Sequence, residues 1–234
     1  MGIPPLFESL VFMREKSVGK IFPIKKKLEI PIVIALAFGY PIFKSIAHFL
    51  SPNPNFSFSN PGIIRLLVFE IIITALLFCF LKKQVFSLPK ELYAPSFKLS
   101  FHGIILTVGY YFVYFILMML LYFLPHSIFD SNIHYGQSIN PILIFLLIIV
   151  NPVYEEFFVT AYIFESLKNQ LNNNMIVFLS TFIRCCYHLY QGKIIILTIL
   201  PLGLIYCFYY KKYRRIWPIV LSHGIIDLIA FSQL

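Results

Sequence analysis

Residues 141–164 read PILIFLLIIVNPVYEEFFVTAYIF. At about 1.5 Å per residue in a helix, this run is long enough to cross the roughly 30 Å hydrocarbon core of a bilayer. Its first ten residues carry no polar side chain, yet Glu155 and Glu156 stand together in its second half. A carboxylate in such a setting has no water to solvate it and needs a partner or a purpose. The stretch therefore sets two expectations at once, a membrane-spanning helix and a site built on it.

Working outward, comparable apolar runs occur at Pro31–Leu50, Ile63–Leu81, Phe101–Leu124, Met175–Tyr190, Ile194–Tyr210 and Trp217–Phe231. Of the 234 residues, 59% are hydrophobic and only 12% are charged, and mean hydropathy is +0.81. A soluble domain of this length has too little interior to hide that much apolar surface. The expected fold is an all-α, polytopic transmembrane bundle of about seven spans. Residues 1–29 read as a basic amphipathic segment on the membrane interface or a charged tail, and 30–234 as the transmembrane domain. The N-terminus lacks the long apolar core and small-residue cleavage site of a signal peptide.

The net charge of +9 would raise the question of nucleic acid in a soluble chain. Here the basic residues cluster between apolar runs, at Lys25–Lys27, Lys82–Lys83 and 211–215. With the N-terminus inside, 15 of the 19 Lys and Arg residues fall in inner segments and Lys193 is the one in an outer loop. The positive-inside rule then sets a cytoplasmic N-terminus, with a lipid bilayer and not nucleic acid as partner. The loops at 51–62 and 126–140 are turn-rich and nearly uncharged, as outer connections are. Cys79, Cys185, Cys186 and Cys207 lie in apolar runs without CxxC spacing, so neither a disulfide framework nor a zinc site follows.

Of the ten acidic residues, Glu70, Glu155, Glu156 and Asp227 fall inside apolar runs. Three of these four share the C-terminal half with Arg184, His188 and His223. Adjacent residues project about 100° apart on a helix, so Glu155 and Glu156 can face a cavity and a neighbouring helix respectively. Crowded in low dielectric, they cannot both carry charge cheaply, and a Glu beside a His suits general-base work. The competing reading is an ion pair with Arg184 that only holds helices together. Pro152 removes a backbone donor just before the pair. Arg184 and His188 share a face at i, i+4, as do His223 and Asp227. The latter two suit an imidazole with its orienting acid, a pair gripping a substrate oxygen, or two metal ligands.

These three segments resemble, in order and spacing, the CPBP family, which holds type II CAAX prenyl endopeptidases and bacterial bacteriocin-processing or self-immunity (Abi) proteins. The family's EExxxR, His, and HxxxN/D motifs read here as Glu155-Glu156 with Thr160, then His188, then His223 with Asp227. The likeness runs over about 151–231, with Tyr187-His-Leu-Tyr-Gln-Gly192 similar to a bacterial branch. The resemblance implies an intramembrane glutamic endopeptidase of a bacterial cytoplasmic membrane that works without cofactor or metal, a divalent metal being the alternative. Glu155 would activate water with help from His188, and His223 and Asp227 would hold the oxyanion or orient the scissile carbonyl. Glu156 would pair with the motif's arginine. That position is Thr160, and Arg184 is expected to supply the charge from the next helix. A peptide or leader-peptide precursor is the expected substrate; self-immunity, and a non-catalytic scaffold or transporter, are the alternatives. Depth along the helices leaves a tension. Glu155 and His223 fall on the inner side of the midplane, whereas His188 comes near the outer end of its run.

Overall fold

The computed structural model describes residues 26–51, 56–84, 86, 94–122, 133–135 and 139–232. Among them are seven helices: α1 Lys26–Phe49, α2 Asn60–Lys83, α3 Phe97–Leu120, α4 Pro141–Leu167, α5 Asn173–His188, α6 Ile199–Tyr213 and α7 Trp217–Ser232. Each matches one of the seven apolar runs. Most of the 1–29 segment, up to residue 25, lies outside the described residues; its last four residues already belong to α1.

Local chemistry sets several helix starts. Ser59, Ser96, Asn140 and Asn172 each accept a backbone N–H of the first turn with their side-chain oxygens. Pro61 and Pro141 follow two of these caps, where a missing N–H costs nothing. The α1–α2 and α3–α4 connections are joined by a short parallel ladder, β1 Phe56–Phe58 with β2 Ile133–Tyr135. The Asn140 amide also donates to the Asn60 side chain at 2.8 Å. Both connections therefore meet at one end of the bundle, as two loops on the same side of a membrane must.

The burial pattern is inverted relative to a soluble protein. Phe43, Phe112, Phe145 and Phe178 point outward and are more than half exposed, while Glu70, Glu156, Thr160, Ser180, Arg184 and Ser222 are buried. Apolar side chains on the outer face meet lipid tails at no cost, and polar groups must find partners within the bundle. Helices α1, α2, α3 and α4 are long and apolar enough to cross a membrane. The other three of the seven helices are shorter, and the whole is the expected helical membrane bundle. At 16 and 15 residues, α5 and α6 are about 24 and 22 Å long, and α7 is a shorter apolar helix of 16 residues. Among the described residues, α5 and α7 supply five of the thirteen buried polar or charged side chains and α4 supplies four.

Close packing of α7 on α4 rests on one glycine. Pro152 has no N–H to offer the carbonyl of Ile148 four residues back. A Cβ on Gly224 would lie 3.0 Å from that carbonyl oxygen. Only glycine lets the two backbones approach so closely, which is how small residues act between membrane helices. Gly203 does the same for α6 on α5, where a Cβ would sit 3.0 Å from Thr181 and 3.4 Å from Arg184.

Candidate active site

Helix α4 changes register where the two glutamates stand. It is α-helical through Glu155, a π-helix over Glu156–Tyr162, and α-helical again from Ile163. π-helical turns lengthen the hydrogen-bonding step and occur mostly at functional sites. Inside the π segment the Val159 carbonyl accepts from the Ser180 hydroxyl of α5, so the altered ladder is satisfied by a neighbouring helix. Glu155 and Glu156 point in different directions from this junction and meet different partners.

Glu156 is fully buried and its two oxygens are saturated. Arg184 grips it with both terminal nitrogens, Nη1 to Oε1 at 2.8 Å and Nη2 to Oε2 at 2.6 Å. The Thr160 hydroxyl donates to Oε2 at 2.9 Å and in turn accepts from Arg184 at 3.3 Å. His223 Nδ1 lies 2.7 Å from Oε1. A carboxylate paired to a guanidinium can only accept, so Nδ1 is the protonated, donating nitrogen. Two parallel N–H···O bonds of this kind fix geometry as well as charge. Thr160, which stands at the family motif's arginine position, thus joins the pair that Arg184 makes from the next helix.

Glu155 has no such cation clamp. Its Oε2 accepts from the Tyr187 hydroxyl at 2.7 Å and lies 3.6 Å from Arg184 and 3.7 Å from His188 Nε2. Its Oε1 accepts from Asn151 Nδ2 at 3.1 Å. The side chain is 8% exposed, beside a His188 side chain at 13%. Of the two glutamates, this one keeps some solvent access.

Supporting contacts hold both histidines. His188 ends α5, and Gln191 Nε2 sits 3.2 Å from its Nδ1. The chain then turns through a 3-10 segment, Leu189–Ile196, which Gly192 makes possible with φ of 79°. The Tyr190 N–H in that segment donates to Ser45 of α1, and Phe38 of α1 stacks on Tyr187 at 4.9 Å. On α7, Ser222 accepts from Thr107 and Tyr206 at 3.0 Å each, fixing the residue next to His223 against α3 and α6. His223 Nε2 faces Asp227 at 3.6 Å, and the Asp227 side chain is 23% exposed.

Glu155, Glu156, Arg184, His188, His223 and Asp227, from three helices, therefore converge on one place. The depth tension over His188 disappears because α5 stops at His188 and does not run on to Tyr190. A short helix ends inside the bundle, level with Glu155. Asn151, Tyr187, Gln191 and Glu70 are additional members of the cluster. Asn151, Tyr187 and Gln191 lie within or beside the quoted motif segments but are uncharged, and nothing in their type marks them; Glu70 stands out as an in-run acid without any hint of its partner.

Among the described residues, Glu155, Glu156 and His223 also bring three possible ligand atoms within 4.8 Å of one another. Both Glu156 oxygens are already taken by Arg184, so a divalent ion would share these carboxylates with a buried guanidinium charge. That donor set suits an ion-paired carboxylate better than a metal centre.

Residues 137–229 match the family model described as type II CAAX prenyl endopeptidase Rce1-like. The matched segment holds α4, α5, α6 and nearly all of α7, and with them each of the six converging residues. The resemblance seen in the motifs is thereby found over this C-terminal part of the chain, and the family is one of membrane proteases. No curated protein and no solved structure gives a match.

Proposed function

We propose that the chain is an intramembrane endopeptidase in which Glu155 activates water against a peptide bond. The observation that carries this reading is the unequal treatment of two adjacent glutamates. Glu156 is fully buried and locked to Arg184, Thr160 and His223, whereas the Glu155 side chain accepts hydrogen bonds from Tyr187 and Asn151 and keeps 8% exposure beside His188. A carboxylate whose hydrogen bonds come from neutral donors, with its guanidinium neighbour no closer than 3.6 Å, keeps lone pairs for a proton, which a general base requires.

In this reading a water between Glu155 and His188 gives its proton to the Glu155 carboxylate as its oxygen attacks the scissile carbonyl carbon. The carbonyl oxygen becomes an oxyanion, which the His223–Asp227 side of the cluster receives. With Nδ1–H committed to Glu156, His223 can hold the oxyanion only as an imidazolium donating Nε2–H, with Asp227, 3.6 Å from that nitrogen, as the balancing carboxylate. Collapse of the tetrahedral intermediate breaks the C–N bond, and Glu155 returns the proton to the leaving amine. Glu156 and Arg184 neutralise each other and keep α4 and α5 in register. The reaction uses no metal.

The substrate class we favour is a membrane-associated leader or signalling peptide, in a bacterial cytoplasmic membrane with the N-terminus inside. The charge asymmetry of the loops supports the orientation. The test uses the purified protein in liposomes with two quenched-fluorescence peptide sets, farnesylated CAAX peptides and unmodified apolar leader peptides. Cleavage of the leader set that needs Glu155 and ignores a chelator supports the reading. Preference for the farnesylated set moves the substrate class to CAAX proteins. Loss of cleavage on adding chelator overturns the metal-free mechanism. No cleavage of either set, with Glu155→Ala cells indistinguishable from wild type, leaves a non-catalytic membrane protein.

A further inference from the structure

The N-terminal half of the chain contributes one side chain to this cluster that no motif contains. Glu70 lies on α2, outside the residues that match the family model, and is 1% exposed. Its Oε1 accepts from Asn151 Nδ2 at 2.7 Å, and the same nitrogen donates to Glu155 Oε1 at 3.1 Å. A primary amide has two N–H bonds, so one nitrogen can serve both carboxyl groups. Glu70 Oε2 has no hydrogen-bond partner, and Glu70 makes no ion pair among the described residues.

We infer that Glu70 is a positioning residue for Glu155, acting through the Asn151 amide. An asparagine side chain can present either oxygen or nitrogen to a neighbour with little difference in shape. Facing Glu155 alone, its orientation rests on a single 3.1 Å contact, the weaker of the two. The acceptor on Glu70 adds the shorter bond and makes the flipped amide doubly unfavourable, because its oxygen would then confront two carboxyl groups. Asn151 thereby holds Glu155 Oε1, which leaves Oε2, the oxygen nearest His188, as the one that meets water. The π register begins one residue beyond Glu155, and a side-chain tether fixes the Glu155 rotamer where the ladder changes. Loss of the tether should slow the chemical step and leave binding of the peptide alone.

This inference rests on the peptidase reading and is tested on the peptide set whose cleavage needs Glu155. kcat and KM are measured for wild type, Glu155→Ala, Glu70→Leu, Glu70→Gln, Asn151→Ala and the Glu70→Leu/Asn151→Ala double variant, with thermal unfolding followed in parallel. Glu70→Leu should lower kcat about tenfold or more, as loss of an orienting bond to a charged group implies, with KM within about twofold. Glu70→Gln keeps an acceptor for Asn151 and should recover most of that loss. The double variant should be no slower than the slower single variant, because both changes remove the same tether. A wild-type kcat in Glu70→Leu, a multiplicative loss in the double variant, or a Glu70→Gln as slow as Glu70→Leu would each overturn the inference. Should Glu70→Leu fail to accumulate, Glu70→Gln placed on Asn151→Ala decides. No further change is expected there, and a further drop refutes the tether. Cleavage that survives Glu155→Ala instead overturns the peptidase reading itself.

Discussion

Glu155 and Glu156 are neighbours in sequence with the same side chain, yet the bundle treats them as different chemical groups. Glu156 is met by a guanidinium, a hydroxyl and an imidazole, and has no solvent access. Glu155 is met by a phenol and an amide, with the Arg184 guanidinium 3.6 Å and the His188 ring 3.7 Å away. In the reading proposed above, the difference is how a membrane protein keeps one carboxylate free to react. Its charged neighbour is neutralised completely, so that the field at the site is set by one acid and not two. The same step anchors α4 to α5 and α7, so charge balance and assembly are one contact set.

The comparison breaks most directly at Glu155. Glu155→Gln keeps the size and most hydrogen bonds of the side chain but removes the base. Cleavage should fall by about a hundredfold to ten-thousandfold while the protein accumulates normally, as read by quantitative immunoblot beside a peptide assay. Glu156 predicts the opposite signature. Arg184→Gln strands a buried carboxylate, at a cost of about 3–5 kcal/mol, and should show as lost accumulation and a lower unfolding temperature in detergent. Full activity with normal abundance in Arg184→Gln would end the idea that this arginine stands in for the motif's. A sharper version adds Thr160→Arg to Arg184→Gln, returning the cation to the family's usual position one turn from Glu156. Recovery of part of the lost accumulation is expected, and none would mean that the geometry of α5 is essential to the pairing.

Smaller effects grade the rest. Tyr187→Phe removes one hydrogen bond to Glu155 Oε2 and should lower kcat about tenfold with unfolding nearly unchanged. Thr160→Val removes a hydroxyl that only supports the Glu156 pair. It should cost about 1 kcal/mol in stability, and leave kcat within about twofold. A kcat loss in Thr160→Val larger than that in Tyr187→Phe would reverse the assignment of the two glutamates.

Much of this arrangement was legible in the chain itself. Seven apolar runs became seven helices because a bilayer rewards uninterrupted apolar length, and length is read directly from residue order. The six charged or titratable side chains of the cluster stood out because ionisable groups in such runs are rare. What could not be read was the neutral half of the site. Asn151, Tyr187 and Gln191 are residue types common anywhere, and only packing turns them toward Glu155 and His188. Glu70 was conspicuous as an in-run acid, but its partner is 81 residues away and no spacing rule spans that. The ends of α5 were misjudged for a related reason. Apolar residues continue past His188 into the 3-10 segment, so hydropathy extends the helix where Gly192 and the contact with Ser45 end it. The π register at Glu156–Tyr162 also leaves no mark in composition.

The shortness of α5 and α6 has a mechanical consequence. At about 24 and 22 Å they fall some 6–8 Å short of the usual hydrocarbon thickness, on the side of the molecule that bears Glu155 and His188. Lipid against that wall must compress or give way to headgroups and water, at a fraction of a kcal/mol per Å. In the peptidase reading proposed above, a bilayer thinned beside this wall would give water a short route to Glu155. Turnover should consequently follow acyl-chain length, fastest in liposomes of thin, short-chain lipids and slowing as the membrane thickens.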